Sequence, residues 1–196
     1  MGRQRAFDTG HAIEQAMLLF WERGYEAASM ADLSAAMGVN PPSIYAAFGN
    51  KQALFERCAS HYAQNIAAYA PRALDEEATA AKALHRYVYE AIEAFSGKER
   101  PKGCLLVSAA TNCGTASTGA QKLLAGYRQA SEAMVAARIR RGIEDGDMPA
   151  ASDPDLLAKY IAGRIQGRAA QARDGATADA LHSVAELALG QVAVLP

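Results

Sequence analysis

The chain has 196 residues, and its 51% share of hydrophobic residues is enough to bury a sizeable core and excludes a disordered chain. Its formal net charge of -1 gives no global support for nucleic-acid binding, and its three cysteines do not form a secreted disulfide scaffold, so a reducing cytoplasm is expected. No apolar run is long enough to span a bilayer and the N-terminus lacks the apolar core of a signal peptide, so we expect no membrane association.

Alanine is abundant, proline is rare, and no segment alternates β-branched or aromatic residues with polar ones. Because alanine loses the least conformational entropy in a helix, this composition predicts a nearly all-α fold. The pattern along the chain divides into about nine helices.

The first predicted helix follows a short polar arm that carries Arg3 and Arg5. Asp8 or Thr9 is a candidate N-cap, and Gly24 ends the helix. Its apolar face repeats at helical spacing: Ile13, Ala16, Met17 and Phe20. The two arginines of the arm either belong to a solvated tail or contact the minor groove or a phosphate of DNA.

The second predicted helix begins at Ser29, a hydroxyl N-cap with Asp32 three residues later, which is the pattern of a capping box. Gly38 can adopt the positive φ angle that ends a helix and turns the chain. The apolar stripe of this helix is Met30, Leu33 and Met37.

The third predicted helix has Asn40 as its N-cap and Pro41 and Pro42 in its first turn, where a missing N–H removes no helical hydrogen bond. Ser43 and Tyr45 point outward. Two residues four positions apart point back towards Leu33: Ile44 and Phe48. A short helix, a sharp turn and a second short helix predict a helix-turn-helix.

The order of these residues closely resembles the TetR family of transcriptional regulators. The matching positions are Leu33, Ser34, Met37, Gly38, Val39, Asn40, Ser43, Ile44, Tyr45, Phe48 and Lys51. The passage FWERGYEAAS, over residues 20–29, also resembles the first helix of the family and its Gly-Tyr turn. Two positions depart from the family pattern: Ser34 stands where alanine is usual, and Pro42 stands where many members have glycine.

The resemblance implies an N-terminal three-helix DNA-binding head over residues 1–50 and a helical effector-binding and dimerisation body over residues 51–196. It implies a homodimer on a palindromic operator in double-stranded DNA, with Asn40 and Ser43 reaching base edges and Tyr45 and Lys51 holding phosphate. The implied DNA-contacting set is Ser29, Asn40, Pro41, Pro42, Ser43, Tyr45 and Lys51.

The body is predicted to begin with a helix over residues 51–69 that ends before Pro71, followed by a helix over residues 76–95. The resemblance makes the first of these a lever that runs from the DNA backbone to an effector cavity. Further helices are predicted over residues 117–143, 153–173 and 177–194. The last two pair with their copies in a second subunit, as the resemblance implies, or pack within one chain.

The segment over residues 103–114 is apolar and predicts a buried helix with Cys104 and Cys113 at its ends. On one helix these cysteines would lie two and a half turns apart on opposite sides, too far for a shared metal or a disulfide. Each cysteine either packs in the core or senses oxidants or electrophiles. A sensing thiol would need an adjacent cation such as Lys102 to lower its pKa.

The favoured interpretation is a homodimeric repressor that a small-molecule effector releases from its operator. The effector cavity is expected to be mostly apolar, with Asn112 as its polar anchor. Helical facing suggests these effector-binding residues: Tyr62, Phe95, Leu105, Leu106, Asn112 and Tyr127. We expect no cofactor and no metal, and no catalytic motif is present, so the chain is not expected to be an enzyme.

Two alternatives remain from the residues. One is a thiol-sensing regulator that responds through Cys104 or Cys113. The other, from a different class, is an all-helical carrier or enzyme that never binds DNA. The weak charge of the head favours this alternative, but it does not explain the Gly38-Val39 turn.

Overall fold

The computed structural model of the protein describes residues 8–192, which form ten α-helices and one short 3-10 turn and contain no strand. The helices are α1 Thr9–Arg23, α2 Met30–Met37, α3 Pro41–Phe48, α4 Lys51–Asn65, α5 Tyr69–Glu76, α6 Ala80–Ser96, α7 Leu105–Ser108, α8 Thr118–Glu144, α9 Pro154–Arg173 and α10 Ala178–Val192, with the 3-10 turn at Thr115–Ser117. The all-α class is therefore confirmed. The polar arm with Arg3 and Arg5 lies outside the described residues.

The head forms as the local sequence signals predict. Ser29 and Asp32 form a reciprocal capping box at the start of α2, and Gly38 has φ 64° in the turn before α3. Asn40 caps α3 by accepting a hydrogen bond from the backbone N–H of Ser43. Leu33 and Ile44 are fully buried, so their side chains fix α2 and α3 against one another.

The predicted helix over residues 51–69 is confirmed up to Asn65, where α4 ends, and is wrong over its last four residues. The carbonyl of Tyr62 accepts the N–H groups of both Ile66 and Ala67, and the second of these bonds spans five residues, so the last turn widens and the regular α-helix stops. Pro71 then lies in the first turn of a separate helix, α5, where its missing N–H breaks no helical hydrogen bond. This break divides one predicted helix into α4 and α5, which is why the described residues contain ten helices and not the predicted nine or so.

The predicted helix over residues 103–114 is also wrong, since only the four residues of α7 are helical there. The carbonyl of Ala109 would accept the N–H of Cys113 if the helix continued, but it accepts the backbone N–H of Tyr25 instead, at 2.6 Å. The chain from residue 109 to residue 117 is therefore a loop that ends in the 3-10 turn Thr115–Ser117, and Cys104 and Cys113 do not share a helix.

The body is a bundle in which α8 packs against α9 and α5 packs against α6. The carbonyls of Leu74 and Glu77, at the C-terminal end of α5, have no hydrogen-bond partner within that helix. Arg141 of α8 donates to the first and Arg138 of α8 donates to the second. The last two helices carry exposed apolar side chains: Leu156, Val184 and Leu187. Within residues 8–192, no helix is both long enough and apolar enough to cross a membrane.

Candidate nucleic-acid interface and ligand cavity

The outer face of α3 carries the side chains that were predicted to contact DNA. Pro41 and Pro42 are exposed in its first turn, and Tyr45 is 48% exposed one turn further on. Ser43 is half-buried beside them, whereas Ile44 is 1% exposed and anchors the opposite face. The helix therefore presents a narrow polar and aromatic face to solvent on a rigid support.

Two of the predicted contacts also hold the head together. The side-chain oxygen of Asn40 lies 2.9 Å from the Ser43 nitrogen as a helix cap, so its NH₂ group is the part left to donate to an outside acceptor. The hydroxyl of Ser29 donates to Asp32 at 2.5 Å, and Asp32 also pairs with Arg23 at 3.1 Å. The hydroxyl and the backbone N–H of Ser29 both donate to Asp32, and these hydrogen bonds hold the pKa of the Asp32 carboxyl below its usual value.

Ser34, a departure from the family pattern, has a clear role that sequence reasoning missed. Its hydroxyl donates to the carbonyl of Val39 at 2.6 Å and so ties α2 to the turn that precedes α3. Alanine at this position could not make that bond. The signal in the sequence was the hydroxyl itself, placed five residues before the turn.

Lys51 occupies a different environment from the one predicted. Its ammonium group lies 4.6 Å from the centroid of the Tyr25 ring and donates to the carbonyl of Glu26 at 3.3 Å. Partial burial lowers the pKa of Lys51, while the Glu26 carboxylate opposes that shift. The side chain therefore already has two partners inside the protein, and a phosphate would have to replace or share them.

A cavity of about 290 Å³ lies in the body between α5, α6, α7, α8 and α9, and Ala63 at the C-terminal end of α4 also lines it. Three predicted effector-binding residues line it: Phe95, Leu106 and Tyr127. The residues that sequence reasoning missed include Tyr69, Tyr87, Cys104, Val107, Arg128, Ser131, Glu132, Met134 and Ile165.

Three predicted residues do not line the cavity. Tyr62 is fully buried with its ring 4.9 Å from Trp21, and Leu105 is fully buried on the other side of α7. Asn112 is exposed in the loop after α7, because the helix that would have turned it inward does not form. Asn112 is therefore not in a position to anchor a ligand in this cavity.

The polar groups of the cavity are few and mostly engaged. The hydroxyl of Tyr87 lies 3.0 Å from that of Ser131, and Arg128 donates to the carbonyl of Leu106 at 2.8 Å. Burial raises the pKa of both Tyr69 and Tyr87, so both phenols are neutral donors at physiological pH. An apolar cavity with a few convergent polar groups suits a mostly apolar small molecule.

The cysteines are set in environments that suppress thiolate formation. Burial raises the pKa of Cys58 and of Cys104, and Cys104 forms part of the cavity wall. Burial and the neighbouring Glu26 carboxylate raise the pKa of Cys113, and Lys51 offsets only part of that effect. The cation expected beside Cys104 was Lys102, but the one that acts on it is Arg128.

Two family descriptions match the chain: "Bacterial regulatory proteins, tetR family" over residues 12–58, and "Tetracyclin repressor-like, C-terminal domain" over residues 80–187. The HTH-type transcriptional repressor ComR of Escherichia coli K12 is 32% identical, over 94% of this chain and 88% of its own length. The repressor BdcR of the same organism is 34% identical, over 54% of each chain. A cysteine mutant of the regulator CifR, solved with 26 bp operator DNA, is 39% identical with a TM-score of 0.93, over 95% of this chain and 98% of its own.

Proposed function

The chain belongs to the TetR family of transcriptional regulators, and we propose that it is a repressor which binds a palindromic operator as a homodimer and leaves it when a small-molecule effector occupies the body. The exposed face of α3 is the observation that carries this proposal, because it combines a buried anchor at Ile44 with outward Ser43 and Tyr45. The operator-bound structures of CifR, a relative over nearly the whole chain, support the same function.

In this proposal α3 enters the major groove. The hydroxyl of Ser43 and the NH₂ group of Asn40 reach base edges, and the hydroxyl of Tyr45 holds a phosphate. Pro41, Pro42 and Ser29 complete the surface at the N-terminal ends of α3 and α2, where the helix dipole favours the negative backbone. Two heads in a symmetric dimer then require half-sites separated by about 34–36 Å or a multiple of it.

The effector site is the cavity described above, with Phe95, Leu106 and Tyr127 as apolar walls. We assign the polar anchoring to Arg128 and Ser131 in place of Asn112, because both line the cavity. To shift the protein from about 1:99 to about 99:1 in favour of the released state, the effector must prefer that state by roughly 5.5 kcal/mol.

The remaining parts of the proposal follow from the family. Residues 1–50 are the DNA-binding domain, and residues 51–196 bind the effector and dimerise through α9 and α10, whose exposed Leu156 and Leu187 are suited to a helix-to-helix interface. The protein works in the cytoplasm, where the operator is, and its cavity binds the effector without converting it.

Thiol sensing is the less favoured mechanism, since burial raises the pKa of Cys104 and Cys113 and a thiol reacts far more slowly than a thiolate. A carrier or enzyme that does not bind DNA would leave the exposed face of α3 without a purpose.

The deciding experiment is selection of bound duplexes from a random DNA pool by the purified protein, under reducing conditions and at a stated salt concentration. We expect a palindrome of two half-sites. A folded dimer that enriches no sequence at any salt concentration would contradict the proposal.

A further inference from the structure

A set of hydrogen bonds connects the cavity wall to the head at the turn after α1. We call this set the latch and define it by five residues: Tyr25 and Glu26 on the head, and Ala109, Gly114 and Ser117 on the loop that follows α7. The carbonyl of Ala109 accepts the Tyr25 N–H at 2.6 Å. A single oxygen of the Glu26 carboxylate accepts the Gly114 N–H at 2.7 Å and the Ser117 hydroxyl at 2.8 Å.

The cavity side of the latch begins at α7. Cys104, Leu106 and Val107 form part of the cavity wall, and Ala109 follows two residues after Val107. The start of this segment packs closely against α9, because a Cβ added at Gly103 would lie only 2.7 Å from the carbonyl of Ala169. We therefore expect a molecule that presses on Leu106 or Val107 to displace the C-terminal end of α7, where Ala109 is the C-cap residue.

The head side of the latch is rigid. The Tyr25 ring lies 5.9 Å from that of Phe20 in α1 and 4.9 Å from that of Phe55 in α4, and the Lys51 ammonium group lies 4.6 Å from its centroid. A displacement of Tyr25 or Glu26 is therefore transmitted to the elements that hold α2 and α3, rather than absorbed in a soft loop.

The route through α4 has less contact with the cavity. Of the residues of α4, only Ala63 lines it, and alanine offers a ligand little to push against. The segment 104–107 contributes three lining side chains, two of them larger and apolar. The latch is thus the better mechanical connection between cavity and head.

We propose that Glu26 is a positioning residue that transmits occupancy of the cavity to the DNA-binding head through the latch. This inference rests on the proposed function. The Ser117 hydroxyl and the Gly114 N–H donate to Glu26 and lower the pKa of its carboxyl, so the latch is charged and closed at neutral pH. Displacement of Ala109 opens it and lets the turn at residues 24–26 move relative to the body.

The test uses a side chain in place of the unidentified effector. Val107→Phe adds bulk to the cavity at α7, and Ala162→Leu adds bulk from α9 as the matched control. Operator affinity is measured at fixed salt for each of these in the wild-type, Glu26→Ala and Glu14→Ala backgrounds. Glu14 is an exposed carboxylate on α1 that makes no side-chain bond to a described residue.

In the wild-type and Glu14→Ala backgrounds, Val107→Phe is expected to weaken operator binding about tenfold, or roughly 1.4 kcal/mol. In the Glu26→Ala background the same substitution is expected to cost no more than about twofold, which is the size of ordinary non-additivity. Glu26→Gln keeps an acceptor oxygen for Gly114 and Ser117, so it should restore part of the coupling. Ala162→Leu should change operator affinity by the same factor in every background.

Hydrogen exchange provides a readout that a purely structural role would not move. Val107→Phe should speed exchange of the Tyr25 amide, which bonds to Ala109, and leave the neighbouring Gly24 amide, which bonds to Phe20, unchanged. The inference is overturned if Val107→Phe reduces operator affinity by the same factor with and without Glu26. It is also overturned if Val107→Phe does not change operator affinity in a folded dimer. Failure of the wild-type protein to bind any operator would instead contradict the proposed function.

If Glu26→Ala does not fold, as judged by thermal unfolding and gel filtration, the comparison is made with Glu26→Gln. That variant loses the charge but keeps the shape of the side chain. A full tenfold effect of Val107→Phe in the folded Glu26→Gln protein then overturns the role of the charge in the latch, and a smaller effect supports it.

Discussion

The ammonium group of Lys51 sits over the ring of Tyr25, at 4.6 Å from its centroid, although the family pattern places a lysine here at the DNA backbone. The same group donates to the carbonyl of Glu26. Lys51 therefore connects the first residue of α4 to the turn after α1.

Replacing Lys51 by methionine should lower stability by roughly 0.5–1 kcal/mol, the usual size of a partly exposed cation–π contact. We expect the slope of log affinity against log salt concentration to stay unchanged, because the Lys51 ammonium group already has two partners inside the protein. A reduction of that slope by about one would show instead that Lys51 binds phosphate. Arg57→Met, at an exposed position on α4, is the control for loss of one positive charge.

Ser43 and Tyr45 should differ in what they do for DNA binding. Ser43→Ala should change the base preference at one position of each half-site, since a base contact typically contributes about 1–3 kcal/mol of discrimination. Tyr45→Phe should weaken binding to all sequences alike, by roughly 1 kcal/mol for one lost hydrogen bond. Repeating the duplex selection with both variants tests this, and a uniform loss from Ser43→Ala would refute its assignment.

Ser34→Ala should reduce the free energy of unfolding by about 1 kcal/mol, because the Val39 carbonyl loses its side-chain donor. The protein should still fold, since alanine is the usual residue of the family here. Thermal unfolding of the two proteins measures the change. An unchanged melting temperature would mean that water replaces the hydroxyl at no cost.

The cysteines should react slowly at neutral pH and in a fixed order. Cys113 is half-buried and should be alkylated by iodoacetamide first, ahead of the buried Cys58 and Cys104. Because the pKa of each thiol is raised, the labelling rate should increase as pH rises above neutral, where more thiolate forms. Peptide mass spectrometry gives the order. Rapid modification of Cys104 at neutral pH, with release from DNA, would revive thiol sensing.

Leu187 should be part of the dimer interface. Its side chain is 74% exposed on α10 in the single chain, and an aspartate there would have to be buried next to the apolar surface of the partner. Leu187→Asp should therefore give a monomer in sedimentation equilibrium and lose most of its operator affinity. Ala81→Asp, at an exposed position on α6, should remain a dimer.

The parts of the fold that were predictable are those with local causes. The caps at Ser29, Asn40 and Asn50 each bond to a backbone N–H three residues ahead, so a short window of sequence contains the whole interaction. The loop after α7 has a distant cause, since its shape depends on the Ala109 carbonyl meeting Tyr25. No helical periodicity within residues 103–114 contains that information.

The site residues also divide into those that local sequence determines and those that depend on distant contacts. Tyr45 and Ser43 could be placed because one helix and one turn determine which way they face. The cavity could not be predicted, because six helices contribute to it, and an error in the extent of one helix moved Asn112 from the predicted wall to the surface. Arg128 and Ser131 were missed because the inward face of α8 depends on which neighbours it meets.

The separation of the latch from most of the cavity wall has a consequence for how such a protein diversifies. Phe95, Tyr127 and Met134 line the cavity but make no latch contact, so substitutions there can change which molecule is recognised and leave the response intact. Val107 and Leu106 serve both purposes and should accept less change. A library intended to retarget this protein as a biosensor should therefore vary the first group and keep the second.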